Sequence, residues 1–308
     1  MDGHKETVLS NLQEKTIFEE RARYDSPANI FTIKRPAVPK HVFIDEIKRA
    51  LAPDTPSEWI VLDVGAKMGF NYPATTPLML GRYARINAGE SLKGNFRASG
   101  EIYYGISGSG YASKADETIH WSSGDVFALP GGGQTEMVAG EDGAVLFQVT
   151  NEPELIFHNL DAPSPENAPT QAALYKEAEI KNEMALVHDQ QKADPNVTGL
   201  ALHFSSEKRQ KMRDIHPSIA LAMNSLDANE IQRPHRHNSV AMTLPIQSNN
   251  VYSVIEGERV DWHKYAIMIT PPADLHEHHN EGDEMMLSLV MQDGGLYYHL
   301  RTIGFSFE

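Results

Sequence analysis

The sequence predicts a mainly β protein: two small barrels of short strands joined by a linker and preceded by a helical arm. Three observations predict it. Short apolar runs bounded by Gly, Asn, Asp and Ser recur from Trp59 onward, the pattern of a sandwich or barrel. The pattern breaks near residue 150 and resumes near Gly199. The two β-rich halves also repeat one spacing of glycines, a proline and polar residues. A length of 308 residues suits about two domains at roughly 100–200 residues each.

Residues 1–57 read as the arm. Val8, Leu9, Leu12, Ile17 and Phe18 recur at helical spacing among charges, predicting a helix over 8–23 that Asp25-Ser26-Pro27 ends. Residues 30–33 read as extended, and 40–51 as a second helix stopped by Ala52-Pro53. So small an arm has no core of its own and is expected to pack on a barrel or on a neighbouring subunit. Residues 58–152 read as the first barrel, with strands at 59–62, 78–86, 101–106 and 145–149. Residues 153–197 form the linker, turn-rich from Asp161 to Pro169 and helical over 171–183. Residues 198–308 read as the second barrel, with strands at 220–223, 241–246, 251–255, 266–270, 286–291 and 297–303.

Composition narrows the function. A net charge of −15 with no Lys/Arg-rich run disfavours nucleic acid and anionic membrane as partners. The absence of cysteine excludes disulfides, thiolate metal sites and a thiol nucleophile. No stretch of about 18 residues is apolar enough to span a bilayer, and none near Met1 resembles a secretory signal. A cytoplasmic protein that does not bind membranes is expected.

The chemistry concentrates in His235, His237 and His276. The first two are spaced i, i+2, which puts both on one face of a strand; the third reaches them if its strand pairs alongside. Three neutral imidazoles without thiolate or carboxylate suit Fe(II), Mn(II), Co, Ni, Cu or Zn. Three ligands leave positions open, which marks a catalytic rather than a structural metal site.

The repeat follows the two cupin motifs, G-x5-H-x-H-x3,4-E-x6-G and G-x5-P-x-G-x2-H-x3-N. In the first half Gly89, Glu101, Gly108, Gly124, Pro130 and Gly132 hold their positions, while Asn95, Arg97 and Thr135 replace the three histidines. Arg97 is expected to bring a positive charge to the former cation position and to pair with Glu101. In the second half His235, His237, Pro271, His276 and Asn280 match, while Asn229, Tyr265, Ala273 and Ser248 replace glycines and Ala241 replaces the glutamate. The chain thus resembles a bicupin, two double-stranded β-helix (jelly-roll) barrels, the first without metal.

Within that group, Pro234-His235-Arg236-His237, Ala241, Thr270-Pro271 through Asn280 and Asp283-Glu284 resemble the gentisate and salicylate 1,2-dioxygenases. Phe96 to Tyr104 and Gly124 to Gly132 also resemble nitrosalicylate dioxygenase and the large subunit of hydroquinone dioxygenases. The resemblance implies an extradiol-type ring-cleaving dioxygenase using Fe(II), with Mn(II) as second choice. It further implies a small aromatic substrate of the gentisate, salicylate or substituted salicylate type, and O2. His235, His237 and His276 are the implied ligands, and His278 the implied catalytic histidine beside them.

The likeness fails at two positions. Thr243 stands where the family places an arginine for the substrate carboxylate, and Val290 where it places an aspartate. Either another group, Arg213, Arg233 or Arg301, holds a carboxylate at the site of Thr243, or the substrate lacks one. A hydroquinone-type dioxygenase and a cupin metalloenzyme that cleaves no ring remain alternatives. A homo-oligomer is expected, because the arm and the metal-free barrel present apolar surface.

Overall fold

The computed structural model describes residues 15–191 and 200–308. They divide into two compact units, one ending at Arg35 and one running from Pro36 to Glu308. The first holds two short helices, Ile17–Arg21 and Pro27–Phe31, capped by the side chains of Thr16 and Ser26. Residues 30–33 are therefore not extended: Ser26 and Pro27 form a helix start that outweighs the β-branched residues after it. The expected 8–23 helix is present over Ile17–Arg21; Val8, Leu9 and Leu12 lie outside the described residues.

The second unit contains both barrels. The first is one sheet with the order Glu58–Leu62, Leu80–Ile86, Gln134–Thr150, Gly100–Lys114, Val126–Pro130, Ala173–Tyr175. Ser91–Asn95 adds to Gln134–Thr150, and Glu117–Ser122 to Gly100–Lys114. The 171–183 segment is not one helix; Ala173–Tyr175 completes this sheet and the helix runs over Glu177–Gln191.

The second barrel has two sheets. One has the order His41–Val42, Met268–Thr270, Ala241–Gln247, Met286–Gln292, Ala220–Leu226, Leu200–His203. The other has the order Glu258–Asp261, Val251–Ile255, His276–Asn280, His235–His237, Phe305–Phe307. The 40–51 segment is divided: His41–Val42 joins the second barrel, and the helix begins at Ile44. The 297–303 strand is absent. Gly294–Leu300 is a helix, ended by Arg301 at φ 60°, and only Phe305–Phe307 is extended.

The two barrels share one core. Leu221, Met223, Met242, Leu244, Leu289 and Met291 of the second pack with Ile60, Leu62, Tyr83, Ile102 and Phe147 of the first. Tyr83 pins the contact: its hydroxyl donates to the Tyr265 carbonyl at 2.5 Å and accepts from the Ile267 N–H at 3.1 Å. By strand alternation, the residues between these core positions point the other way, into the second barrel.

The motif turns keep their backbone shape where the glycines are gone. Asn229, Tyr265 and Ala273 have φ of 60°, 63° and 65°, beside 68°, 87° and 72° at Gly89, Gly124 and Gly132. In the first barrel a side chain would not fit: a Cβ on Gly132 would lie 1.7 Å from the Pro163 carbonyl oxygen.

Candidate metal centre

His235 and His276 are direct partners across an antiparallel pair, and His237 lies two residues along the same strand. All three are buried, and their ligand atoms lie within 4.8 Å of one another. Each Nδ1 is bonded to a backbone carbonyl: His235 to Arg233 at 3.0 Å, His237 to Ser239 at 2.8 Å, His276 to Asp274 at 2.9 Å. A carbonyl can only accept, so each Nδ1 carries the proton and each Nε2 keeps its lone pair. Burial holds all three below the usual histidine range, with His276 lowered to about 3. The donor set is neutral and soft enough for a divalent transition metal.

Sheet register also sets what surrounds the histidines. Phe305 and Phe307 pair with His237 and His235 and place their rings 5.2 and 6.1 Å from the His235 ring. A cavity of about 380 Å³ opens beside His235 and His237. Its sheet floor is made by Ala201, His203, Ala220, Ala222, Asn224, Val290 and Gln292, which alternate with the shared-core residues. The Gln292 amide lies 3.3 Å from His237 Nε2. Asn224 Oδ1 is buried without a hydrogen-bond partner, which costs roughly 1–3 kcal/mol.

The first barrel is closed to such a site. Tyr103 and Phe127 stack at 4.7 Å, Trp121 and Phe127 at 6.2 Å, and they fill its interior. Arg97 does not supply the positive charge there. Its guanidinium reaches out to the Leu160 carbonyl. Lys114 supplies the charge instead. Its ammonium is bonded to Glu101 and, at 2.9 Å, to Thr135, the glutamate and third-histidine positions of the motif. Lys114 and Glu101 are 1% and 0% exposed.

Other proteins share this architecture. Salicylate 1,2-dioxygenase from Pseudaminobacter salicylatoxidans superposes with a TM-score of 0.73 at 12% identity, covering 89% of each chain. A structure of that enzyme with gentisate gives 0.72 at 13% identity, covering 91% of this chain and 88% of that one. The fold is the bicupin fold. A cupin barrel protein from Leptotrichia buccalis superposes less closely, with a TM-score of 0.52 at 12% identity over 84% of this chain and 97% of that one. In sequence, a gentisate 1,2-dioxygenase of a Ralstonia species is 28% identical over 85 residues, 28% of this chain and 24% of that enzyme's length. No family model matches the chain.

Within this bicupin the other expected site residues are dispersed. His278 lies beside the cluster, its ring 5.8 Å from His276 and 6.4 Å from His235, outside the cavity lining. Its Nδ1 is 2.8 Å from Ser253 Oγ, which accepts from Trp262 Nε1 at 2.7 Å. Thr243 is buried directly opposite Val290, so the two departures from the dioxygenase pattern face one another across one strand pair. Arg233 is bonded to the Glu308 carbonyl at 3.1 Å and lies over the Phe307 ring. Arg213 is exposed, at φ 57°. Neither arginine lines the cavity.

Sequence reasoning missed His203, Asn224, Gln292, Tyr298, Phe305 and Phe307. The signal available was the alternation of Ala220, Ala222 and Asn224 with Leu221 and Met223. Small and polar residues on the inward face of a buried strand mark a hollow barrel.

Among the described residues, no helix is long and apolar enough to cross a membrane.

Proposed function

We propose that this chain is an Fe(II)-dependent, extradiol-type dioxygenase that opens the ring of a phenolic aromatic substrate. One observation carries the reading: three neutral imidazoles converge, and two of them, His235 and His237, line a cavity of about 380 Å³, large enough for one substituted ring. His235, His237 and His276 would hold the metal. Bound iron supplies open coordination positions and one-electron chemistry that let O2 react with a phenol.

The chain's own residues orient the ring. Phe305, Phe307 and Tyr298 form an aromatic wall, and the Gln292 amide reaches the inner edge of the cluster. His278, bonded to Ser253 Oγ and held neutral by burial, is read as a residue that supports the ligands from outside the cavity lining. Among the described residues no Arg or Lys lines the cavity. That favours a ring held without a protein cation, as in the hydroquinone type, alongside gentisate and salicylate. Arg213 and Arg233 have no part in the proposed substrate contact, and Thr243 contributes only through its place beside Val290.

Anaerobic loading with Fe(II), followed by O2 uptake with gentisate, salicylate and hydroquinone, tests the reading. One O2 consumed per ring opened by at least one of the three is expected, with activity lost on chelation and in His237→Ala. Absence of uptake with all three sinks it. A homo-oligomer is part of the proposal, because Phe18, Tyr24, Ile30 and Ile33 of the first unit are exposed. Light scattering at the monomer mass of 34.3 kDa overturns that part.

A further inference from the structure

We infer that Asn224 is a specificity-determining residue that recognises the end of the ring remote from the metal, and that this end carries an uncharged hydroxyl. The inference rests on the reading of the cavity as a phenol site.

Strand register places the cavity floor in tiers. Gln292, beside His237, shares its tier with Ala220. Two residues further along lie Val290, Ala222 and His203. Two further again lie Ser288, Asn224 and Ala201. At 3.2–3.4 Å per residue, Asn224 stands about 13 Å along the sheet from the tier that meets His237. A metal–nitrogen bond, a metal–oxygen bond, a para-substituted ring and one hydrogen bond together span roughly that distance.

The chemistry at the remote tier suits a hydroxyl. Asn224 lines the cavity, while the Oδ1 end of its amide is buried out of contact with it and has no hydrogen-bond partner. A half-turn of the amide exchanges donor and acceptor within the same outline. A hydroxyl both donates and accepts, so it satisfies either orientation. A carboxylate needs donors and a compensating charge; an ammonium needs acceptors. The tier between offers neither charge, since Thr243 and Val290 stand opposite one another there and burial keeps the His203 imidazole neutral at neutral pH. An ionised substituent would lose its hydration with nothing to replace it.

The test is anaerobic titration calorimetry on Fe(II)-loaded protein with phenol, hydroquinone and 4-hydroxybenzoate, which differ only at the para position. Hydroquinone is expected to bind at least tenfold more tightly than 4-hydroxybenzoate. In Asn224→Leu its affinity should fall about tenfold while phenol affinity and iron content stay unchanged. Asn224→Ser serves as a second variant if the leucine form does not fold, with a smaller loss of the same selectivity. Equal binding of hydroquinone and 4-hydroxybenzoate by the wild type, or parallel loss of phenol and hydroquinone in the variants, overturns the role of Asn224 and leaves the phenol site standing. Binding of none of the three, with iron present, overturns both.

Discussion

Lys114 and Ala273 show what single residues do in the two barrels. Lys114 places a buried ammonium between the motif's glutamate and Thr135, so one side chain replaces an ion and its ligands. Burial pushes the Glu101 carboxyl up, and the bonds from Lys114, Tyr103 and Thr135 oppose that. Removing one partner leaves the other charge buried and unpaired. Lys114→Met is therefore expected to cost about 3–5 kcal/mol, measured by urea unfolding, and Lys114→Met with Glu101→Gln to recover much of it. Ala273 has the opposite problem. It keeps the left-handed turn before the strand His276–Asn280, φ 65°, with its N–H on the His237 carbonyl at 2.8 Å. A β-carbon there costs about 1–2 kcal/mol, so Ala273→Gly should raise the melting temperature and leave the metal content unchanged. A lower melting temperature would show that the methyl group contributes packing that outweighs its strain.

At the scale of elements, the last strand matters more than its length suggests. Phe305–Phe307 adds to His235–His237 as a strand at the sheet edge, and Glu308 ties it to Arg236 at 2.8 Å. It brings two aromatic rings to the metal cluster, yet Phe305 is 55% exposed, so the fold itself depends little on it. Ending the chain after Gly304 should leave thermal stability nearly intact. Ring binding should weaken about tenfold, the upper end of what an aromatic pair contributes, as read by calorimetry with hydroquinone. A large drop in melting temperature would instead make the strand part of the scaffold. The Gly294–Leu300 helix before it was not legible in the sequence. Its aromatic and apolar residues, Leu296, Tyr297, Tyr298 and Leu300, read as a strand in isolation. Asp293 decides otherwise: buried, it accepts from the Val240 N–H at 2.8 Å and anchors the start of the helix against the second barrel.

For the whole molecule, the decisive contacts are those that couple the barrels. His216 is fully buried where they meet. Its Nδ1 accepts from the Ser218 and Ile219 N–H groups at 3.1 and 3.2 Å, and its Nε2 is 3.0 Å from Ser99 Oγ in the first barrel. Burial lowers its pKa to about 3 from an unfolded value near 6.5. Between those values the unfolded chain binds the proton and the native one does not. The contribution of His216 to stability is thus complete above pH 6.5 and is lost as pH falls toward 3. His216→Asn keeps an acceptor for the two N–H groups but cannot titrate. The difference in melting temperature between wild type and variant should therefore shrink as pH falls from 7 to 4. A difference that stays constant with pH would mean that His216 does not titrate with unfolding.

The sequence by itself determined that the chain is two β-rich halves on one motif frame, and which half keeps three histidines. Both are local properties. Alternation, turn residues and i, i+2 spacing are written along the chain, and the left-handed turns persist at Asn229, Tyr265 and Ala273 without glycine. Only the tertiary structure decided what those histidines face. The neutral floor comes from strands far apart in sequence, Leu200–His203, Ala220–Leu226 and Met286–Gln292, brought side by side by register. The cation of the first barrel is likewise set by long-range packing, because Lys114 and Glu101 lie at opposite ends of the strand Gly100–Lys114 and meet, with Thr135 of the paired strand Gln134–Thr150, only in the folded barrel. Spacing along a chain places residues on a face, but only closure of the barrel decides which faces meet.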